Sequence, residues 1–114
     1  MSKDVLSAQE WLTVPDLVNI MGISQSRVRS LLDDQHLVAA RIDGVLKVPA
    51  IFLRDSQPMP ELQGTIILLK DFGFSNDEAV EWLLSPEESL GVSPVDALRA
   101  GRKAEVRRVA QALL

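Results

Sequence analysis

The sequence predicts a mainly α-helical chain: two short helices joined by a tight turn, a β-hairpin, and then a helical bundle. Three observations carry this expectation. Apolar residues recur at helical spacing through most of the chain, two capped helices meet at Gly22-Ile23-Ser24, and Asp43-Gly44 separates two β-branched runs. At 114 residues the chain is one domain, or one domain with a small helical appendage. Its apolar fraction of 46% and charged fraction of 25% are those of a folded chain and argue against disorder.

Residues 1–10 read as an N-terminal arm. The first clear helix starts at Thr13, an N-cap with Pro15 in the first turn and Asp16 three residues on. Val14, Leu17, Val18 and Met21 form its apolar stripe, and Gly22 stops it. Ser24 caps a second helix with Val28, Leu31 and Leu32 inward. Residues 37–42 and 45–48 then form strands around Asp43-Gly44, whose two positions favour positive φ. Together, residues 11–55 make the first folded unit.

Residues 56–61, with two prolines, read as a linker, and residues 62–114 as a C-terminal helical domain. In the latter, Leu62, Ile66 and Leu69 share a face, Gly73 caps the helix, and Phe74 folds back on it. Ser75 to Glu78 fits a capping box that leads into Ala79, Trp82 and Leu83. A short helix from Ser93-Pro94 ends at Gly101. The last helix places Val106, Val109, Ala110 and Leu113 on one stripe, with Arg107 and Arg108 pointing away.

The net charge of −4 hides three zones. Residues 1–54 are balanced, residues 55–98 hold one lysine against nine acids, and residues 99–114 hold five basic residues against one acid. There is no cysteine and a single histidine, His36, which removes disulfides, thiolate sites and His-rich metal sites. The acidic run from Asp77 to Glu88 lacks the alternating spacing and central glycine of a calcium loop. No phosphate-cradling glycine loop or nucleophile–base arrangement is present, so the expectation is a non-enzymatic protein with no cofactor and no metal. The longest apolar run, Ile66 to Leu69, is far too short to span a bilayer, so no membrane partner is expected and the chain reads as cytoplasmic.

Helix, tight turn, helix and two-stranded hairpin is the order of a winged helix-turn-helix. Leu12-Thr13, Asp16-Leu17, Gly22-Ile23-Ser24, Ser26, Val28, Leu31-Leu32, Leu37, Ala39, Arg41, Gly44 and Val48-Pro49 resemble the excisionase and MerR-type DNA-binding domains, over roughly the first half of the chain. Nearly the whole length also resembles a family of small actinobacterial DNA-binding proteins whose mycobacterial member is a Ser/Thr-kinase substrate. There too an acidic helical half follows the wing, matched here by Trp82-Leu83, Ser85-Pro86 and Pro94-Val95-Asp96-Ala97-Leu98. The arm here holds Ser2 and Ser7 but no threonine, so the kinase link is not carried over.

The resemblance implies sequence-specific binding of double-stranded DNA by a transcriptional regulator. With Val28, Leu31 and Leu32 inward, Ser26 and Ser30 point outward between Arg27 and Arg29, and Gln25 stands at the helix start. Residues 25–34 thus read as the recognition helix in the major groove, with Ser26, Arg29 and Ser30 toward base edges and Arg27 toward phosphate. In the 37–48 wing the candidates are Arg41 and Lys47. Pairing Arg41 with Leu46 and Ala40 with Lys47 puts these two cations on opposite faces, and the family pattern favours Arg41. Asp33 and Asp34 at the helix end oppose phosphate. With four to six phosphate contacts the salt slope is about −4 to −5. The chain lacks the long C-terminal helix that pairs MerR-type regulators, which leaves its oligomeric state open. Trp11, Trp82 and His36 read as structural.

The last third carries a second resemblance. Trp82 to Pro86, Leu90-Gly91, Ser93 to Leu98 and Gly101 followed by an amphipathic helix resemble the toxin-binding domain of certain antitoxins. That implies a protein partner on the acidic C-terminal half, with DNA binding for autoregulation. The alternative is that these helices complete the core, adding apolar burial that a small winged domain lacks.

Overall fold

Most helices here begin where a hydroxyl meets an otherwise unbonded amide. In the computed structural model, which describes residues 3–113, Thr13 Oγ1 accepts from the Asp16 amide while Asp16 Oδ2 accepts from the Thr13 amide. This capping box starts α2 (Val14–Met21), and Gly22, in the left-handed region at φ 66°, ends it. Ser24 Oγ accepts from the Arg27 amide at 3.1 Å and starts α3 (Gln25–Asp33). Ser75 and Glu78 form the box of α5 (Asn76–Leu84), and Ser93 caps α6 (Pro94–Arg99). Between and beyond these lie α4 (Leu62–Asp71), closed by Gly73 and Phe74, and α7 (Lys103–Gln111).

The wing strands are β2 (Ala40–Ile42) and β3 (Val45–Pro49), antiparallel, with Arg41 opposite Leu46 and Ala40 opposite Lys47. Asp43 and Gly44 turn between them at φ 53° and 79°. A third strand, β1 (Trp11–Thr13), pairs with the far side of β3, so that Leu12 faces Val48.

Several features depart from the sequence-based expectation. The first wing strand begins at Ala40, not at 37, because Leu37, Val38 and Ala39 are buried as an irregular link behind α3. The arm contains a short helix, α1 (Lys3–Ser7), held by Trp11 Nε1 donating to the Leu6 carbonyl at 2.8 Å. After a 3₁₀ turn (Ala50–Phe52), the end of the first unit forms a second hairpin with the segment read as a linker, β4 (Leu53–Arg54) pairing with β5 (Gln57–Pro58). Leu113 lies beyond the last helical residue and is exposed, while Val106 and Ala110 stay buried.

Both halves feed one contiguous core. Leu17, Val28, Val48 and Phe52 from the winged half join Met59, Ile66, Leu83 and Leu98 from the rest. Polar bonds cross the same seam. Arg99 Nη1 donates to the carbonyls of Ile51 and Leu53, at 3.1 and 2.9 Å, and Gln63 Nε2 donates to the carbonyl of Asp34 at 2.9 Å. Arg54 forks onto Glu61 at 3.1 and 2.7 Å, fastening the second hairpin to the start of α4. The winged half is therefore held against the helical half through several separate elements.

Candidate nucleic-acid interface

The packing of α3 decides what it offers to solvent. Val28 and Leu31 are buried, which leaves Gln25, Ser26, Arg27, Arg29 and Ser30 all exposed. Two of the hydroxyls are already oriented. Ser30 Oγ donates to the Ser26 carbonyl at 3.1 Å, which leaves its oxygen to accept, and Ser26 Oγ lies 3.2 Å from the capping Ser24 Oγ.

The wing divides its two cations as the register requires. Arg41 is exposed and shares its face with Leu46, whose side chain meets α3 across a groove. Lys47 sits on the opposite face, across from Thr13 and Ala40, near the cap of α2. There, Thr13's backbone and side-chain hydrogen bonds hold the Asp16 carboxyl below the ordinary carboxylate range, with a smaller pull from Lys47. Of the seven sequence candidates, five share the exposed face of α3, Arg41 is exposed on the wing beside Leu6, Asp77 and Glu81, and Lys47 lies on the wing's opposite face.

The groove between α3 and the wing measures about 420 Å³. Arg29, Leu32 and Asp33 form one wall and Leu46 the other, with Ile66, Lys70 and Asn76 contributed by the helical half. Gln35 also lines it, in the left-handed region at φ 64°, and its Oε1 is buried with no hydrogen-bond partner among the described residues. Lys70 and Asn76 were invisible to motif reading because they arrive by tertiary packing. The only local signal is that Lys70 is the single cation of residues 55–98.

Negative charge frames the site. Asp33 and Asp34 are exposed at the end of α3, and Asp77 Oδ1 accepts from the Arg41 amide at 3.1 Å. Part of the basic C-terminal zone is structural: Arg102 pairs with Glu105 at 2.7 Å and Arg99 is bonded to backbone carbonyls. Among the described residues, no group of three or more His, Cys, Asp or Glu side chains is placed to hold a metal ion, and no helix is long and apolar enough to cross a membrane.

A capped helix-turn-helix whose second helix exposes its polar face beside an antiparallel wing defines the winged helix-turn-helix class. Residues 1–53 match the family described as DNA-binding protein Rv2175c, wHTH domain, and residues 59–114 match the Rv2175c C-terminal domain of unknown function. DNA-binding protein Rv2175c of Mycobacterium tuberculosis (strain ATCC 25618 / H37Rv) is 34% identical over 124 residues, spanning 96% of this chain and 85% of the relative. The NMR structure of Rv2175c superposes with a TM-score of 0.84 at 30% identity, covering 99% of this chain and 84% of that one. The chain belongs to the Rv2175c family of winged helix-turn-helix proteins. The winged helix-turn-helix match and the DNA-binding relative support a DNA-binding protein, and the antitoxin reading is not favoured.

Proposed function

We propose that this protein is a non-enzymatic, sequence-specific binder of double-stranded DNA that regulates transcription in the cytoplasm. One observation carries the reading: Gln25, Ser26, Arg27, Arg29 and Ser30 share the exposed face of a helix flanked by the Arg41 side of a wing. A helix presented this way enters a major groove about 12 Å wide. Ser26, Arg29 and Ser30 then face base edges, while Arg27 and Arg41 take phosphate or groove-edge contacts. Membership of a family named for DNA binding supports the same partner.

The test is a fluorescence-anisotropy titration of labelled duplex from upstream of the protein's own gene, at two salt concentrations, with unrelated duplex as competitor. Saturable binding that resists the competitor and weakens with salt is the expected result. No binding at low salt overturns the proposal.

A further inference from the structure

A helix in the major groove and a wing over the neighbouring minor groove straddle the sugar-phosphate ridge that separates the two grooves. Whatever surface lies between helix and wing must receive that ridge. In this protein that surface is the groove of about 420 Å³ walled by Arg29 and Asp33 on one side and Leu46 on the other. Gln35 and residues 37–39 of the winged half also line it, and the helical half contributes Ile66, Lys70 and Asn76.

We infer that this groove seats the DNA phosphate backbone, and that Lys70, from the C-terminal half, is a phosphate-contacting residue beside Arg29. The inference rests on the DNA-binding reading above and extends it to a region whose family match is described only as a domain of unknown function. Lys70 is the one basic residue among residues 55–98, which carry nine acids, and it lines the groove. Its Nζ donates to Asn76 Oδ1 at 2.6 Å, which anchors the ammonium at the groove wall. An ammonium has three donors, and this bond engages one of them. Asp33 on the same wall is the opposing charge, so the groove presents two cations against one carboxylate.

A competing role for Lys70 is purely structural, since a cation in the last turn of α4 also complements the helix dipole. Salt dependence separates the two roles, because each phosphate neutralised contributes about 0.9 to the slope of log K against log salt. The measurement is anisotropy of the full chain on a labelled duplex of arbitrary sequence between 50 and 200 mM NaCl. Lys70→Gln is expected to flatten the slope by about 0.9, making the fall in affinity over that range about 3.5-fold smaller than the parent's. Lys70→Arg is expected to restore the slope, and Asp33→Asn to tighten binding.

A parent-like slope in Lys70→Gln, with its circular dichroism and thermal midpoint also parent-like, overturns the inference and leaves DNA binding standing. A slope change that persists in Lys70→Arg assigns the residue a structural role and also overturns it. A parent chain that binds no duplex at 50 mM salt overturns both this inference and the DNA-binding reading.

Discussion

The backbone N–H of Arg41 donates to Asp77 Oδ1 at 3.1 Å, tying the edge strand of the wing to the first turn of α5. The bond satisfies an edge-strand donor that would otherwise be left to solvent or to another chain. It also fixes a carboxylate beside a residue proposed to approach phosphate. Asp77→Asn keeps an acceptor at that position and removes the charge. Stability is expected to change by no more than about 0.5 kcal/mol. DNA affinity near 100 mM salt is expected to rise about twofold to fivefold, the scale of one nearby exposed charge. Anisotropy titration of the variant checks this, and unchanged affinity removes Asp77 from the electrostatics of the wing.

Arg29 and Lys47 make a matched pair for testing the orientation of the protein on DNA. Arg29 is exposed on α3 and lines the groove, whereas Lys47 lies on the face turned toward Thr13. Arg29→Ala is expected to lose about 1–3 kcal/mol of specific binding. Lys47→Ala is expected to stay within about twofold of the parent, because a cation facing away contributes only weak, screened attraction. Competition against unrelated duplex reports both, and the reverse ranking places the wing's other face on the DNA.

The local chemistry of this chain was legible in its sequence. Thr13 with Asp16, Ser24, Ser75 with Glu78, and Ser93 each cap the helix expected of them, and Asp43-Gly44 sets the wing register that the turn demands. What escaped reading is what distant segments do to one another. The second hairpin turns at Asp55-Ser56, with φ of 53° and 62°, and no glycine announces it. The three residues of β1 gain their conformation from pairing with β3 some 36 residues away, Trp11 lying opposite Pro49. Lys70 reaches the groove only because α4 packs there. Of the candidate site, the face of α3 was visible through helical periodicity, and the wall supplied by the helical half was not.

Gln35 offers a test of stability. It closes α3 in a Schellman arrangement, its amide donating to the Leu32 carbonyl while the His36 amide donates to that of Leu31. A left-handed conformation at φ 64° is costly for a residue with a Cβ, and the buried Oε1 adds an unpaired acceptor among the described residues. Gln35→Gly removes both penalties while making the unfolded chain more flexible. The net expectation is a gain of about 1 kcal/mol, read from urea denaturation at pH 7. A loss of stability instead means that the Gln35 side chain packs better than its missing partner suggests.

Acid should act chiefly through the capping and paired carboxylates. Hydrogen bonds from Thr13 lower the Asp16 pKa, those from Ser75 lower that of Glu78, and the guanidinium groups of Arg54 and Arg102 lower those of Glu61 and Glu105. A carboxyl group lowered in the folded state contributes stability that is complete above its unfolded value and lost as pH falls through its folded value. Urea midpoints are therefore expected to be level with respect to these groups near neutrality and to drop below about pH 4. Ser75→Ala should flatten a small part of that drop, because Glu78 loses the hydrogen bond from the Ser75 hydroxyl but keeps the larger contribution of the backbone N–H at position 75. An acid limb identical to the parent's assigns the loss to other groups.

The shared core makes a prediction about cooperativity. Trp11 is half-buried in the winged half and Trp82 is half-buried in the helical half, so each reports on its own side once the other is replaced by phenylalanine. Phe52 is fully buried where the wing passes into the second hairpin, and its carbonyl accepts from the Met59 amide at 3.0 Å. Because apolar residues of both halves form one cluster, within each of Trp11→Phe and Trp82→Phe the remaining tryptophan's fluorescence and the far-UV circular dichroism should follow coincident urea curves. Phe52→Ala should destabilise both by the same amount, about 3–5 kcal/mol for an aromatic side chain removed from a packed interior. Two separated transitions would mean that the seam carrying Phe52, Met59 and Arg99 is weaker than either half. The wing and Lys70 would then be free to part on DNA, and the groove between them would cease to be a preformed site.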